Sequence, residues 1–337
     1  MYIHRNFAGV LALVAIFFSG LSTIVSGQTP PVTASAQTGA DASHPVPVPF
    51  GMEIKKVVAF IETDCLQEGR AVPYFSTAFV LVKPDERLGK DRGFSYLVTN
   101  RHAVQPGIEN GAPCQVVNYS IRVNVRSSDP SRPPTGTSVS LGPNLPWVFP
   151  EDPAVDLAVI PFGVDQSKVD LEPIPTTMLA TDDVIKANRI GEGDPVIFSG
   201  LFVQVSGLLR LEPIVRQGII AMMPDEPIGT TLKKPGNLFL ADVHVFGGNS
   251  GSPMFVNLAG FRNGAIFSGN NYKLLGVISG YEQEDANFNL QAATSYSGKI
   301  GMNSGVASVV PAQELDKLLN SEKLQVLRDD AVRQAPK

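Results

Sequence analysis

An all-β fold of two six-stranded antiparallel β-barrels closed by a C-terminal α-helix is what this sequence predicts, on three observations. The 337 residues include 31 Gly and 27 Pro, with 43% hydrophobic and 18% charged side chains, which suits many short strands joined by tight turns around a sizeable core. From Val57 onwards, short β-type apolar runs alternate with clusters of Gly, Pro, Asn and Asp, in two series of about six. Only the last segment has helical spacing.

At the N-terminus, Arg5 is followed by no charged residue until Asp41, and Phe7 to Val25 is almost wholly apolar. Small residues follow at Ser26 and Gly27, which is the layout of a signal peptide over 1–27, cleaved near Gln28; an uncleaved membrane anchor is the alternative. Either way the chain is expected to be exported, secreted or periplasmic. Residues 28–50, QTPPVTASAQTGADASHPVPVPF, carry one charge and too little apolar surface to fold alone, and read as a tether.

The N-terminal barrel is expected over 51–165, from VVAFIE, STAFVLV, FSYLVT, SIRVNV and DLAVIPF. The C-terminal barrel is expected over 166–310, from DPVIFSG, IVRQGIIAM, NLFLADVHV, SPMFVN, KLLGVISG and GVASVV. Looser patterning between about Gly163 and Gly193 places the connection there. Over 311–337, Leu315, Leu318, Leu319, Leu324 and Leu327 share one face of a helix that begins at Pro311. That face is expected to pack on the body of the protein rather than on a membrane.

Composition narrows the partners. A net charge of −5 with scattered basic residues offers no cationic stripe to a phosphate backbone, so nucleic acid is not an expected partner. Cys65 and Cys114 are the two cysteines, and in an exported chain they can oxidise to one disulfide; two buried free thiols are the alternative. No Cys/His spacing suggests a metal.

Three motifs carry chemistry. Of four histidines, His4 and His44 fall in the signal peptide and tether, leaving His102 and His244 as bases. His102 sits in LVTNRHAV, where a strand ends, though alone such a histidine is more often a hydrogen-bonded surface residue. Asp156 opens the apolar run Leu157 to Ile160, where a carboxylate needs a partner and a histidine Nδ1–H would serve; a turn aspartate is the plainer reading, and fits Asp152 better. In GGNSGSP, glycines crowd Ser250, so that the N–H groups of Gly248 and Ser250 can converge as an oxyanion hole, or the segment is an ordinary glycine-rich loop.

Together TNRHAV, DLAVI and GNSGSP, in the order His, Asp, Ser, resemble the trypsin-like (chymotrypsin-fold) serine peptidases over about residues 55 to 310. The resemblance implies an active site between the barrels, a triad of His102, Asp156 and Ser250, oxyanion donors at Gly248 and Ser250, and a substrate-pairing edge at Ser279, Gly280 and Tyr281. It implies a serine endopeptidase acting on proteins or peptides through an acyl-enzyme, without a cofactor. An α/β-hydrolase is disfavoured because position 252 is Ser252, not Gly. Where digestive members carry an aspartate before the nucleophile, this chain has Asn249, so it looks closer to bacterial members that need no zymogen cleavage. It shares wording with PDZ-bearing proteases, but leaves too little chain after the helix for a PDZ domain.

His244, six residues before Ser250, falls near the expected floor of the specificity pocket, where it would favour acidic or aromatic side chains; a hydrogen bond to Asp242 is the structural alternative. Asn118-Tyr119-Ser120 matches a glycosylation acceptor. Two other functions stay open: a silent binding or scaffold protein on a protease fold, and an esterase or self-processing activity only.

Overall fold

The computed structural model describes residues 54–89, 92–129, 131–262, 265–267, 271–291 and 295–334. The expected signal peptide and tether lie outside these residues. Among the described residues, no helix is long and apolar enough to cross a membrane.

The first half is one mixed sheet of β1 (Val58–Gln67), β2 (Arg70–Pro84), β3 (Gly93–Thr99), β4 (Gln115–Val125), β5 (Thr135–Gly142), β6 (Ala158–Pro161) and β7 (Ile174–Pro175). Its order is β5-β4-β1-β2-β3-β6, antiparallel throughout, with β7 alongside β2 in parallel. The expected first barrel is therefore not closed by a strand ladder among the described residues. Single bridges instead join β6 to the chain after β5, Val148 with Val159, and the end of β4 to the chain after β6, Val125 with Val169, so irregular segments rather than a β5–β6 ladder continue the sheet.

The second half contains β8 (Pro195–Gly200), β9 (Ile214–Met222), the short hairpin β10 (Ile228–Gly229) and β11 (Pro235–Gly236), β12 (Phe239–Asp242), β13 (Pro253–Asn257), the short hairpin β14 (Gly260–Arg262) and β15 (Ala265–Phe267), β16 (Tyr272–Gln291) and β17 (Ser295–Pro311). Six of these close a barrel in the order β12-β17-β16-β13-β8-β9, as expected for this half.

Strands at the centre are buried on both faces, which is why their sequences run apolar without alternating. In β2, Ala78 and Val80 fill the interior of the first sheet, with Leu97, Ile121 and Ile160. Phe79 and Leu81 point the other way, into a core shared with Phe255, Val277 and Val310 of the barrel. The barrel interior is a third core, built on Phe198, Met254, Leu275, Ile278 and Val309. A slip of one residue in β2 would exchange its two apolar sets between differently shaped cores, so both cores fix the register.

The C-terminal segment is helical and packs its leucines on the shared core, but as two helices, Ala312–Leu319 and Glu322–Gln334, rather than one. The Asn320 side chain ends the first helix by donating to the Asp316 carbonyl at 2.9 Å. Arg328 of the second helix is buried, and its guanidinium is satisfied by the Leu319 carbonyl at 2.8 Å and the Tyr96 hydroxyl at 3.1 Å. It thus occupies an orphan carbonyl at the end of its neighbour.

Cys65 and Cys114 form a disulfide across 49 residues, from β1 to the segment just before β4, with Cα atoms 5.7 Å apart. Asn118 lies within β4, where its amide donates to Ser120 Oγ at 2.9 Å and accepts from Ser140 Oγ at 2.6 Å, a setting unlike the surface loop that its sequence motif suggests. On loop-closure entropy, the double substitution Cys65→Ser/Cys114→Ser is expected to lower stability by about 4 kcal/mol in urea titrations.

Candidate active site

Strand register explains how two distant motifs meet. β3 and β6 are antiparallel, with Thr99 opposite Ala158. Continued beyond the strand ends, the same register sets the short helix Arg101–Val104 against the residues just before β6. His102 and Asp156 are thereby brought together: His102 Nδ1 lies 2.6 Å from Asp156 Oδ2, and the His102 backbone N–H donates to Asp156 Oδ1 at 3.0 Å. The carboxylate side chain is 1% exposed and the imidazole 20%. Asp156 also accepts from Ser279 Oγ at 3.0 Å, and that hydroxyl is itself 2.6 Å from Thr231 Oγ1.

This arrangement fixes the tautomer. An acceptor-only carboxylate requires the His102 proton on Nδ1, which leaves the Nε2 lone pair free to take a proton. Burial disfavours the imidazolium, but the charge and hydrogen bonds of Asp156 outweigh it and hold the His102 pKa above the ordinary histidine value. Burial likewise opposes the Asp156 carboxylate, and the His102 charge and hydrogen bonds keep its pKa below the ordinary carboxyl value.

Ser250 sits in the loop between β12 and β13, at the mouth of a cavity of about 440 Å³ that His102 also lines. Two glycines flank it with φ of 96° at Gly248 and 85° at Gly251, in the left-handed region that side chains avoid. A Cβ at Gly251 would stand 2.0 Å from the Thr77 carbonyl oxygen, so the loop passes too close to β2 for any other residue. Among the hydrogen bonds of the described residues, neither the Gly248 nor the Ser250 N–H has an acceptor, whereas the N–H groups of Asn249, Gly251 and Ser252 are all paired. Two free donors beside a hydroxyl are what an oxyanion site requires.

Ser250 and His102 are not joined in this conformation. Ser250 Oγ donates to the Ser279 carbonyl at 3.3 Å, and no hydrogen bond links it to His102. Gly280 and Tyr281 line the same cavity. There β16 pairs with β17 on one side, Gly280 opposite Ser308, while its ladder with β13 has ended at Val277, leaving a free edge towards the cleft.

His244 is not among the residues that line the cavity: it follows the end of β12 at Asp242, between the buried Val243 and Val245, and is exposed beside Phe246 and Gly305. The residues that line the cavity here are Val245 and Phe246. Among the described residues no hydrogen bond joins His244 to Asp242 either. Asp152 takes the plainer reading, its Oδ1 accepting the Ala154 N–H at 2.8 Å in a turn.

Several supporting residues escape sequence reasoning. Thr77 Oγ1 donates to the Gly248 carbonyl at 2.8 Å and accepts the Leu201 N–H at 2.8 Å, while the Thr77 N–H donates to the Ser250 carbonyl at 2.8 Å. Asn249 is fully buried; its amide donates to the Leu201 carbonyl at 2.5 Å and accepts the Phe246 N–H at 2.8 Å. Asn100 donates to the Asp156 carbonyl at 2.7 Å. Adjacency of Asn100 and Asn249 to the His and Ser motifs is the only signal the sequence holds for them.

The chain matches no sequence family and no curated protein. Among solved structures it is similar to the crystal structure of Deg5, at 18% identity over 68% of this chain and 81% of that one, with a TM-score of 0.39. It is also similar to the active form of the Rv3671c protease from M. tuberculosis, at 16% identity over 87% and 93%, with a TM-score of 0.41. A third is the HtrA-type protease AlgW with decapeptide, at 15% identity over 79% and 64%, with a TM-score of 0.41.

Replacing Thr77 by Val keeps its shape but leaves the buried Gly248 carbonyl and Leu201 N–H unpaired. A loss of about 2–4 kcal/mol is expected in chemical denaturation, with Thr77→Ser close to wild type.

Proposed function

We propose that this protein is an exported serine endopeptidase, with His102, Asp156 and Ser250 as its triad and the N–H groups of Gly248 and Ser250 as its oxyanion donors. The observation that carries the reading is the buried Asp156–His102 pair at 2.6 Å, on the same cavity as a serine flanked by two unpaired backbone donors. The half of the chain up to about residue 165 supplies base and acid, and the half after it supplies the nucleophile. Export rests on the apolar run Phe7 to Val25.

In this mechanism a rotation about the Ser250 side chain brings Oγ to His102 Nε2. The imidazole takes the hydroxyl proton as Oγ attacks the scissile carbonyl, and the two N–H groups receive the developing oxyanion. His102 passes its proton to the leaving amine, and water then hydrolyses the acyl-enzyme by the same route. Asp156 holds the tautomer and stabilises the imidazolium. The free edge at Gly280 and Tyr281 is suited to pair with an extended peptide, which favours peptides over small esters as substrates.

A second reading has one observation behind it: the Ser250 hydroxyl bonded to Ser279, away from His102. On that reading the site is silent and the protein binds peptides without cleaving them.

Labelling with a fluorophosphonate, the modified residue located by mass spectrometry, separates the two. Modification of Ser250, lost in Ser250→Ala and reduced at least a hundredfold in His102→Ala, is expected; no labelling of folded protein sinks the peptidase reading and favours the silent one.

The pH profile has a defined sign. Protonated His102 cannot act as base, so labelling should fall as pH drops through the folded-state pKa of His102. Because that value is raised, the midpoint is expected above the ordinary 6.5, and Asp156→Asn should move it downwards while slowing the reaction. A flat profile between about pH 5 and 9 would contradict a histidine base.

A further inference from the structure

We propose that the cleft beside Ser250 receives a positively charged substrate side chain, with Glu282 as its counter-charge. The inference deepens the peptidase reading and rests on it for the substrate being a peptide. Among the residues that line the cavity, Glu282 is the single carboxylate, and no Lys or Arg joins it. Arg216, the cation next to the cavity wall, lies against the Phe246 ring at 5.0 Å and does not line the space itself.

Glu282 is held in place. Its backbone carbonyl accepts from Ser304 Oγ at 2.9 Å, and its Oε1 accepts from Ser308 Oγ at 2.7 Å. Glu282 is itself exposed, whereas Ser308 is 3% exposed and lines the cavity, so this bond ties the carboxylate to the cavity wall. Among the described residues no cation pairs with Glu282, and Oε2 has no hydrogen-bond donor.

Electrostatics then sets the sign of selection. A carboxylate fixed at the edge of a cavity, with one oxygen unpaired, gains a charge-assisted hydrogen bond from a lysine or arginine side chain. A neutral side chain leaves that oxygen to water, and an acidic one meets like charge. The hydroxyls of Thr231 and Ser279, which also line the space, are already committed to each other and to Asp156, so they do not compete as neutral partners for a substrate. This is the reverse of the acidic preference that His244 would have conferred, and His244 does not reach the cavity.

The test uses tetrapeptides ending in a reactive diphenyl phosphonate, with lysine or norleucine placed in turn at each of the four positions. The readout is the ratio of Ser250 labelling rates, lysine over norleucine, within one protein variant, so that a general change in reactivity cancels. One position is expected to favour lysine at least tenfold in the wild type, to approach unity in Glu282→Gln, and to fall below unity in Glu282→Lys. A ratio under about twofold at every position, or a preference that survives both substitutions, overturns the proposal. Should no probe label Ser250, the peptidase reading fails separately. Equilibrium binding of the same peptides as amides, followed by fluorescence anisotropy, then decides: lysine-selective binding lost in Glu282→Gln supports the cleft assignment, and equal or absent binding overturns it.

Discussion

The contact on which the rest of the site depends is the crossing of β2 over the Ser250 loop at Thr77. Three hydrogen bonds converge there, joining Thr77 to Ser250, Gly248 and Leu201, and its carbonyl also accepts from Thr99 Oγ1 at 2.7 Å. Thr99 is the last residue of the strand that presents His102. One residue of the first sheet is therefore bonded to the strand that ends at the base and to the loop that carries the nucleophile. The approach is close enough that Gly251 cannot carry a side chain. Since the hydrogen bonds are buried and directional, relative sliding of the two halves would leave several backbone groups unpaired at once, each at a cost of about 1–3 kcal/mol. The geometry of the candidate site is thus a consequence of how the two cores are stitched together.

Asn249 extends the same logic within the second half. In the sequence its notable property is the absence of a charge, which removes the means of capturing a freed N-terminus. In the structure its amide ties Leu201 at the end of β8 to Phe246 at the start of the loop. Both partners are internal to the folded chain, so the loop needs no newly formed terminus to hold its shape. The Asn249 N–H is also bonded to the Phe246 carbonyl at 2.9 Å, so Asn249 is tied at both its backbone and its side chain between the N–H groups of Gly248 and Ser250.

What was legible in the sequence was what depends on local chemistry. The order of His, Asp and Ser motifs, the short strands, the leucine face of the C-terminal segment and the need of Asp156 for a partner can all be read from residue types and spacing. What was not legible depends on packing across the chain. Thr77 sits in STAFVLV with nothing to separate it from a strand residue, because its role comes from a loop 171 residues away. The division of the terminal helix turns on Asn320 and on a buried Arg328 that reaches back to Leu319, and a hydrophobic period alone does not register either. Whether β6 meets β5 in a ladder is decided by where irregular segments lie, Val148 and Val169 bridging to β6 and β4 instead. The place of His244 is equally non-local: it lies in the irregular chain after β12, exposed between the buried Val243 and Val245, and its distance in sequence from Ser250 carries no information about that.

The electrostatics of the candidate site rest on one buried pair. His102 and Asp156 form a pair whose charges stabilise each other, and burial gives the pair a strong local field. A second cation on the cavity wall would compete with His102 for Asp156 and lower the basicity that the pair maintains. Against the opposing effect of burial, the carboxylates that raise the His102 pKa are Asp156 first and Glu109 after it, both from the first half of the chain. Ser279 and Glu282 both lie on β16, but each sits at a register shift against β17, between Ile278 and Gly280 and between Tyr281 and Gln283, so the stretch of strand that lines the cavity departs from the regular pleat where it passes His102 and Asp156.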